Sequence, residues 1–242
     1  MIFQKEYMPQ FREADPNGLV GVRGYLNYFQ DVATHYMHNL GKGNDTLPEE
    51  YGICWMYTKY KMHIWKEADF TAPLEFQTWA VQDRSPIRVW QDFIASRQNE
   101  VYAEGRVESC LYHMDTRRIG RLTEIDYPKE AAMEQKLSIA PFCKLSTEIT
   151  DMEYCYTHTV RYTDLDKSKH MNNLLYINLL LNAFDINYFE QNRITDFEIH
   201  YLDQCFYLEE IAVYRRREKE RILLAGIKQD GTLAVQGMVV TE

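Results

Sequence analysis

The feature that most constrains this chain is that it reads twice. Asp15 precedes Tyr25-Leu26-Asn27 by ten positions and Asp166 precedes Tyr176-Ile177-Asn178 by ten, so the two segments superpose with an offset of 151. A similar run follows each: Met62-His63-Ile64-Trp65-Lys66-Glu67 in the first half and Ile199-His200-Tyr201-Leu202-Asp203-Gln204 in the second. Tyr25, Leu26, Phe29, Val32, Ala33, Tyr36, Met37 and Leu40 recur by threes and fours before Gly41 and Gly43, which predicts an amphipathic helix over 22–40. Cys54, Met56, Tyr60, Met62 and Ile64 then alternate with Lys59, Lys61 and His63, the period of a strand. Further strands are predicted at 73–82, 87–98, 100–114 and 117–122. Residues 124–150, with Pro128, Pro141 and no clear period, read as a connection.

After that connection the pattern resumes. A strand is predicted at 153–163, a helix at 172–190, and strands at 194–206, 209–217, 220–228 and 232–240. The second helix is apolar on nearly every face and is expected to be almost wholly buried. Two copies of one unit are therefore expected, each a long helix against a meander of strands. The links between strands are too short for helical crossovers, so the strands must be antiparallel. That arrangement is the hot dog, and the fold expected is α+β, a double hot-dog. Its boundaries are an N-terminal unit over 1–135, a linker over 136–150 and a C-terminal unit over 151–242.

Composition narrows the function classes. Apolar residues make up 45% of the 242, enough for a core. No run approaches the ~18 apolar residues of a membrane span, so no membrane insertion is expected. The formal charge of −9, from 27 bases and 36 acids, argues against nucleic acid as a partner. The N-terminus lacks the pattern of a secretory signal, so the expected location is cytoplasmic. Five dispersed cysteines without CxxC spacing predict reduced thiols and neither a disulfide framework nor zinc.

Chemistry concentrates in Arg161-Tyr-Thr-Asp164-Leu-Asp166-Lys-Ser168-Lys-His170-Met-Asn172-Asn173-Leu-Leu-Tyr176. This polar string leaves a strand and enters an apolar helix, which sets Asp166, Ser168 and His170 beside the helix N-terminus. Such a terminus can stabilise the oxyanion that forms on a thioester carbonyl. An imidazole there can hold a proton near neutral pH, and a carboxylate can orient the imidazole or polarise water.

These residues resemble the signature of acyl-ACP thioesterases, Asp-x-Asn-x-His-x-Asn-Asn followed by an apolar helix with an early Tyr. The likeness extends to the Trp-rich strand at 55–65, the turn Asp115-Thr-Arg117-Arg118-Ile-Gly-Arg121-Leu122 and the final strands. It implies hydrolysis of fatty acyl-ACP to free fatty acid in fatty acid biosynthesis, with acyl carrier protein as partner and no metal or organic cofactor. It further implies that the N-terminal unit supplies the acyl-chain pocket and the C-terminal unit the catalytic groups. Asp166, Ser168, His170 and Gln204 take the catalytic positions. Ser168 stands where the family has Asn, and Gln204, before Cys205, stands where it has Glu. Gln cannot accept a proton, so Asp166 becomes the activator of water.

Other readings stand beside this one. An acyl-CoA thioesterase of the same fold and a non-catalytic thioester binder, the latter motivated by Ser168 and Gln204, remain open. Cys205 could act as a nucleophile with His170, although a cysteine in an apolar strand is more often a small buried hydrophobe. Asp164-x-Asp166-x-Ser168 fails as a calcium loop because Lys169 and Leu175 replace the required Gly and Glu. His35 and His38 lack a third metal ligand, and neither GxSxG nor a phosphate loop is present. Arg215-Arg216-Arg217 and the set Arg117, Arg118, Arg121 are local basic patches for the carrier or for CoA phosphates. A homodimer is compatible with the reading.

Overall fold

The computed structural model describes residues 1–145 and 148–242, which form two compact units, Met1–Ala140 and Pro141–Glu242. In the first, β1 (Phe3–Tyr7), α1 (Val22–Asn39), α2 (Leu47–Tyr51), β2 (Ile53–Ile64), β3 (Leu74–Val81), β4 (Arg88–Arg97) and β5 (Glu100–His113) follow one another. The strands make an antiparallel sheet in the order β1-β3-β4-β5-β2. The apolar stripe of α1 is fully buried at Tyr25, Val32 and Tyr36. Phe29 stacks on Phe93 of β4 at 4.9 Å and meets Phe76 of β3 edge-on at 5.3 Å. The helix ends where Gly41, at φ +65°, bonds back to the His38 carbonyl, a conformation glycine adopts without steric cost.

The second unit runs β6 (Glu153–Thr159), α3 (Asn173–Leu181), α4 (Ile186–Gln191), β7 (Ile194–Tyr201), β8 (Glu210–Glu218), β9 (Arg221–Lys228) and β10 (Leu233–Thr241). Its antiparallel order, β6-β8-β9-β10-β7, is the first unit's order position for position. The fold is thus a double hot dog. Glycines let α3 approach its sheet closely: a Cβ on Gly237 would lie 2.6 Å from Leu180 Cδ1.

Several local expectations are corrected. The helix expected over 172–190 breaks after Leu181, because Asn182 ends it and the Asp185 carboxylate caps α4 through Tyr188 N–H at 3.0 Å. Tyr176, Ile177, Leu179 and Leu180 are buried, but Leu174, Leu175 and Leu181 are only half-buried, so the helix is not wholly enclosed. No strand spans 117–122; a single bridge joins Tyr112 to Ile119, and a 3-10 turn follows at Leu122–Ile125. β7 stops at Tyr201, where Leu202 and Asp203 both donate to the Ala234 carbonyl and the ladder ends. β1 and α2 add to the elements expected from the periodicity.

Part of the predicted linker over 136–150 is docked rather than free. In the first unit, Leu137 N–H donates to Asp92 at 2.7 Å, and Asp92 is held by both ends of the buried Arg106 guanidinium. In the second, Cys143 N–H donates to buried Glu198 at 2.6 Å, and His200 Nε2 lies 2.7 Å from the same carboxylate oxygen. Ser146 and Thr147 of that linker lie outside the described residues.

Candidate active site

Between β6 and α3 the chain makes two tight turns whose bonds are almost all local. A 3-10 turn at Tyr162–Asp164 is closed by the Asp164 carboxylate, which accepts from Arg161 N–H at 2.8 Å and lies 2.8 Å from His158 Nε2. A second turn follows at Asp166. Its carboxylate accepts from Ser168 N–H at 2.7 Å, its carbonyl from Lys169 N–H at 3.0 Å, and its own N–H donates to the His170 carbonyl at 3.1 Å. Asn172 caps α3 through Leu174 N–H at 2.9 Å.

This folding brings Asp166 and His170 together. His170 Nδ1 stands 4.0 Å from Asp166 Oδ2, with side chains 21% and 29% exposed, so the pair is adjacent and open to water. Ser168 is exposed, at the tip of the same turn. The positive end of the α3 dipole adjoins the turn, which favours negative charge developing there.

Gln204 and Cys205 lie on the segment after β7, tied to the turn by a long-range pair. Met171 N–H donates to the Cys205 carbonyl at 2.8 Å, and His170 bridges to Phe206. The Tyr176 hydroxyl accepts from Cys205 N–H at 2.9 Å and donates to the Asp203 carbonyl at 3.4 Å, so α3 pins the segment as well. Gln204 is half-buried, and among the described residues no hydrogen bond joins its side chain to Asp166 or His170. Cys205 is fully buried, and burial pushes its thiol up to about 11. A buried thiol held protonated in this way is a poor nucleophile and packs as a small apolar residue.

One further residue holds this segment. Lys228, at the end of β9 and 9% exposed, donates to the Gln204 carbonyl at 2.5 Å and pairs with Asp203 at 2.9 Å and Glu209 at 3.2 Å. It clamps the segment that bears Gln204. No motif marks it, but the repeat does: Arg97, at the end of β4, holds Asp69 and the carbonyls of Asp69, Ala72 and Pro73 in the corresponding place. Of the basic patches, Arg215 pairs with Glu153 and donates to the Ala183 carbonyl, and Arg216 pairs with Glu218. Arg217, Arg117, Arg118 and Arg121 are exposed. Among the described residues no group of three or more His, Cys, Asp or Glu side chains is placed to hold a metal.

The first unit repeats the turn bond for bond. Asp15 N–H donates to the Leu19 carbonyl at 2.8 Å, Asn17 N–H to the Asp15 carboxylate at 2.9 Å, and Gly18 N–H to the Asp15 carbonyl at 3.0 Å. Val20 N–H donates to the Ala68 carbonyl at 2.8 Å, and the Tyr25 hydroxyl to the Lys66 carbonyl at 3.3 Å. By these bonds Leu19 occupies the place of His170, Ala68 that of Cys205, and Glu67 that of Gln204.

Both units match known protein-family models. Residues 1–127 match the model of the acyl-ACP thioesterase N-terminal domain and residues 149–233 that of the C-terminal domain. A palmitoyl-acyl carrier protein thioesterase of Arabidopsis thaliana is 22% identical over 227 residues, covering 85% of this chain and 52% of its own length. An oleoyl-acyl carrier protein thioesterase of the same plant is 22% identical over 219 residues, covering 84% and 59%. The chain thus spans little more than half the length of these relatives. Among solved structures, an acyl-ACP thioesterase of Bacteroides thetaiotaomicron superposes with a TM-score of 0.87 at 18% identity, covering 100% of this chain and 98% of that one. A 12:0-ACP thioesterase of Umbellularia californica does so at 0.84 and 16%, covering 100% and 97%. These likenesses place the fold.

Proposed function

Because the chain belongs to the acyl-ACP thioesterase family, we propose that it hydrolyses fatty acyl thioesters of acyl carrier protein to free fatty acid and holo-carrier, in fatty acid biosynthesis. The observation that supports this best is the Asp166–His170 pair, open to water beside the α3 N-terminus. In this reading Asp166 takes a proton from water as the water oxygen bonds to the thioester carbonyl carbon. His170 and the Ser168 hydroxyl hold the oxyanion, and Gln204 orients the water. Collapse of the intermediate breaks the C–S bond, and the proton taken by Asp166 passes to the departing thiolate. One oxyanion donor of this kind is worth about 2.7–4 kcal/mol. The first unit, with its aromatic interior, is assigned the acyl chain.

The experiment is release of free fatty acid from a panel of acyl-ACPs and matched acyl-CoAs by the wild type and His170→Ala. Turnover on acyl-ACP that the variant loses supports the reading, and faster turnover on acyl-CoA replaces the carrier. A second reading, thioester binding without chemistry, rests on Gln204, which cannot accept a proton. Binding of the same thioesters with no acid released would establish it instead.

A further inference from the structure

The surface around the Asp166 turn differs from its copy in a way that catalysis does not use. Lys169 adopts φ +64°, a left-handed conformation that glycine tolerates and lysine pays for in strain; the corresponding residue of the first unit is Gly18, at φ +77°. Lys167 stands where the first unit has Pro16, and Arg161 where it has Gln10. All three cations are exposed, and among the described residues none of them forms an ion pair. Lys228, on the neighbouring strand end, is by contrast paired with both Asp203 and Glu209. On the first unit's turn the exposed cation Arg12 stands 4.0 Å from Glu13. A chain of net charge −9 thus keeps three uncompensated cations at the lip of the candidate site, one of them in a strained position.

Exposed rings lie among these charges. Tyr162 is 83% exposed, Tyr207 55% and Phe206 40%. They belong to one surface because the two loops are laced at both ends. Leu208 N–H donates to the Val160 carbonyl and Val160 N–H to the Glu209 carbonyl, each at 2.9 Å, while the Met171–Cys205 bond closes the other end. Exposed rings among uncompensated cations suit a protein partner of opposite charge with an amphipathic face.

We propose that Arg161, Lys167 and Lys169, with the rings of Tyr162, Phe206 and Tyr207, form the docking surface for an acidic carrier protein. The surface delivers the carrier's thioester to the adjacent Asp166–His170 pair. This rests on the hydrolytic reading above but concerns how the carrier is held. The cations steer the acidic face and the rings seat it, so association weakens with salt.

The test compares wild type with Arg161→Ala/Lys167→Ala/Lys169→Gly on three substrates bearing one acyl group: acyl-ACP, acyl-CoA and acyl-pantetheine. The ratio of kcat/KM on acyl-ACP to that on acyl-pantetheine is expected to fall about tenfold or more, and the salt dependence on acyl-ACP to flatten. The single variant Lys169→Gly is expected to raise Tm while lowering that ratio, an opposition that a merely structural residue would not give. An equal loss on acyl-ACP and acyl-CoA would mean that the cations read the prosthetic phosphate and would overturn the proposal. An equal loss on all three substrates, or none, would overturn it too. If the wild type hydrolyses nothing, the hydrolytic reading fails, and calorimetric binding of acyl-ACP to wild type and triple variant still decides: weaker binding by the variant supports docking, equal binding refutes it.

Discussion

The turn at Asp15–Leu19 and the turn at Asp166–His170 share their hydrogen bonds and differ in their side chains. Both are closed by an aspartate, both feed a helix, and both are tied to the segment after the next strand by one backbone bond. The first has Leu19 and Glu67 where the second has His170 and Gln204, so one copy keeps an acid without an imidazole and the other an imidazole without that acid. Architecture after duplication therefore resides in backbone bonding, and chemistry in a few side chains that can change without disturbing it.

That contrast can be broken in steps. The largest effect is expected from His170→Ala, which should lower kcat about 10²–10³-fold in a fatty acid release assay, whereas Leu19→Ala should leave it within about twofold. Lys228→Met removes the clamp on Gln204; kcat should drop about tenfold, and unfolding in urea should show a loss of about 1–3 kcal/mol, with Lys228→Arg restoring most of both. Gln204→Glu restores to the second copy the acid that the first retains. It should raise kcat a few-fold and add an acidic limb to the pH–rate profile near the ordinary glutamate range of ~4.3, and a fall in rate would count against its place beside the water. Cys205→Ala should change the rate least, under about twofold. Because burial lifts the Cys205 thiol from 9.0 to about 11, its contribution to stability is complete below pH 9 and is lost as the pH rises through 11. The variant should therefore lose less stability than wild type between those pH values, as followed by thermal unfolding.

Much of this was legible in the chain. The ten-residue spacing from Asp15 to Tyr25 and from Asp166 to Tyr176 marks the turn and the tyrosine that pins the later segment, and both are set by local geometry. α1 and the strands β2 to β5 were readable because burial against one face imposes a period. The break in α3 was not, since Asn182 and Asp185 act through caps inside an apolar run, which periodicity does not register. The end of β7 depends on Ala234, on the distant β10, accepting two bonds from Leu202 and Asp203, and Lys228 reaches a partner 24 positions away. Such contacts belong to tertiary pairing. Asp166 and His170 could be paired on paper because they stand four positions apart in one turn, whereas the placement of Gln204 depends on the long-range Met171–Cys205 bond.

The most direct measurement is single-turnover release of fatty acid from one acyl-ACP by wild type, His170→Ala and Leu19→Ala, each confirmed folded by circular dichroism. The account expects His170→Ala to lose at least about a hundredfold and Leu19→Ala to match wild type. Equal rates for wild type and His170→Ala, or an equal loss in both variants, would contradict the assignment of the chemistry to the second turn.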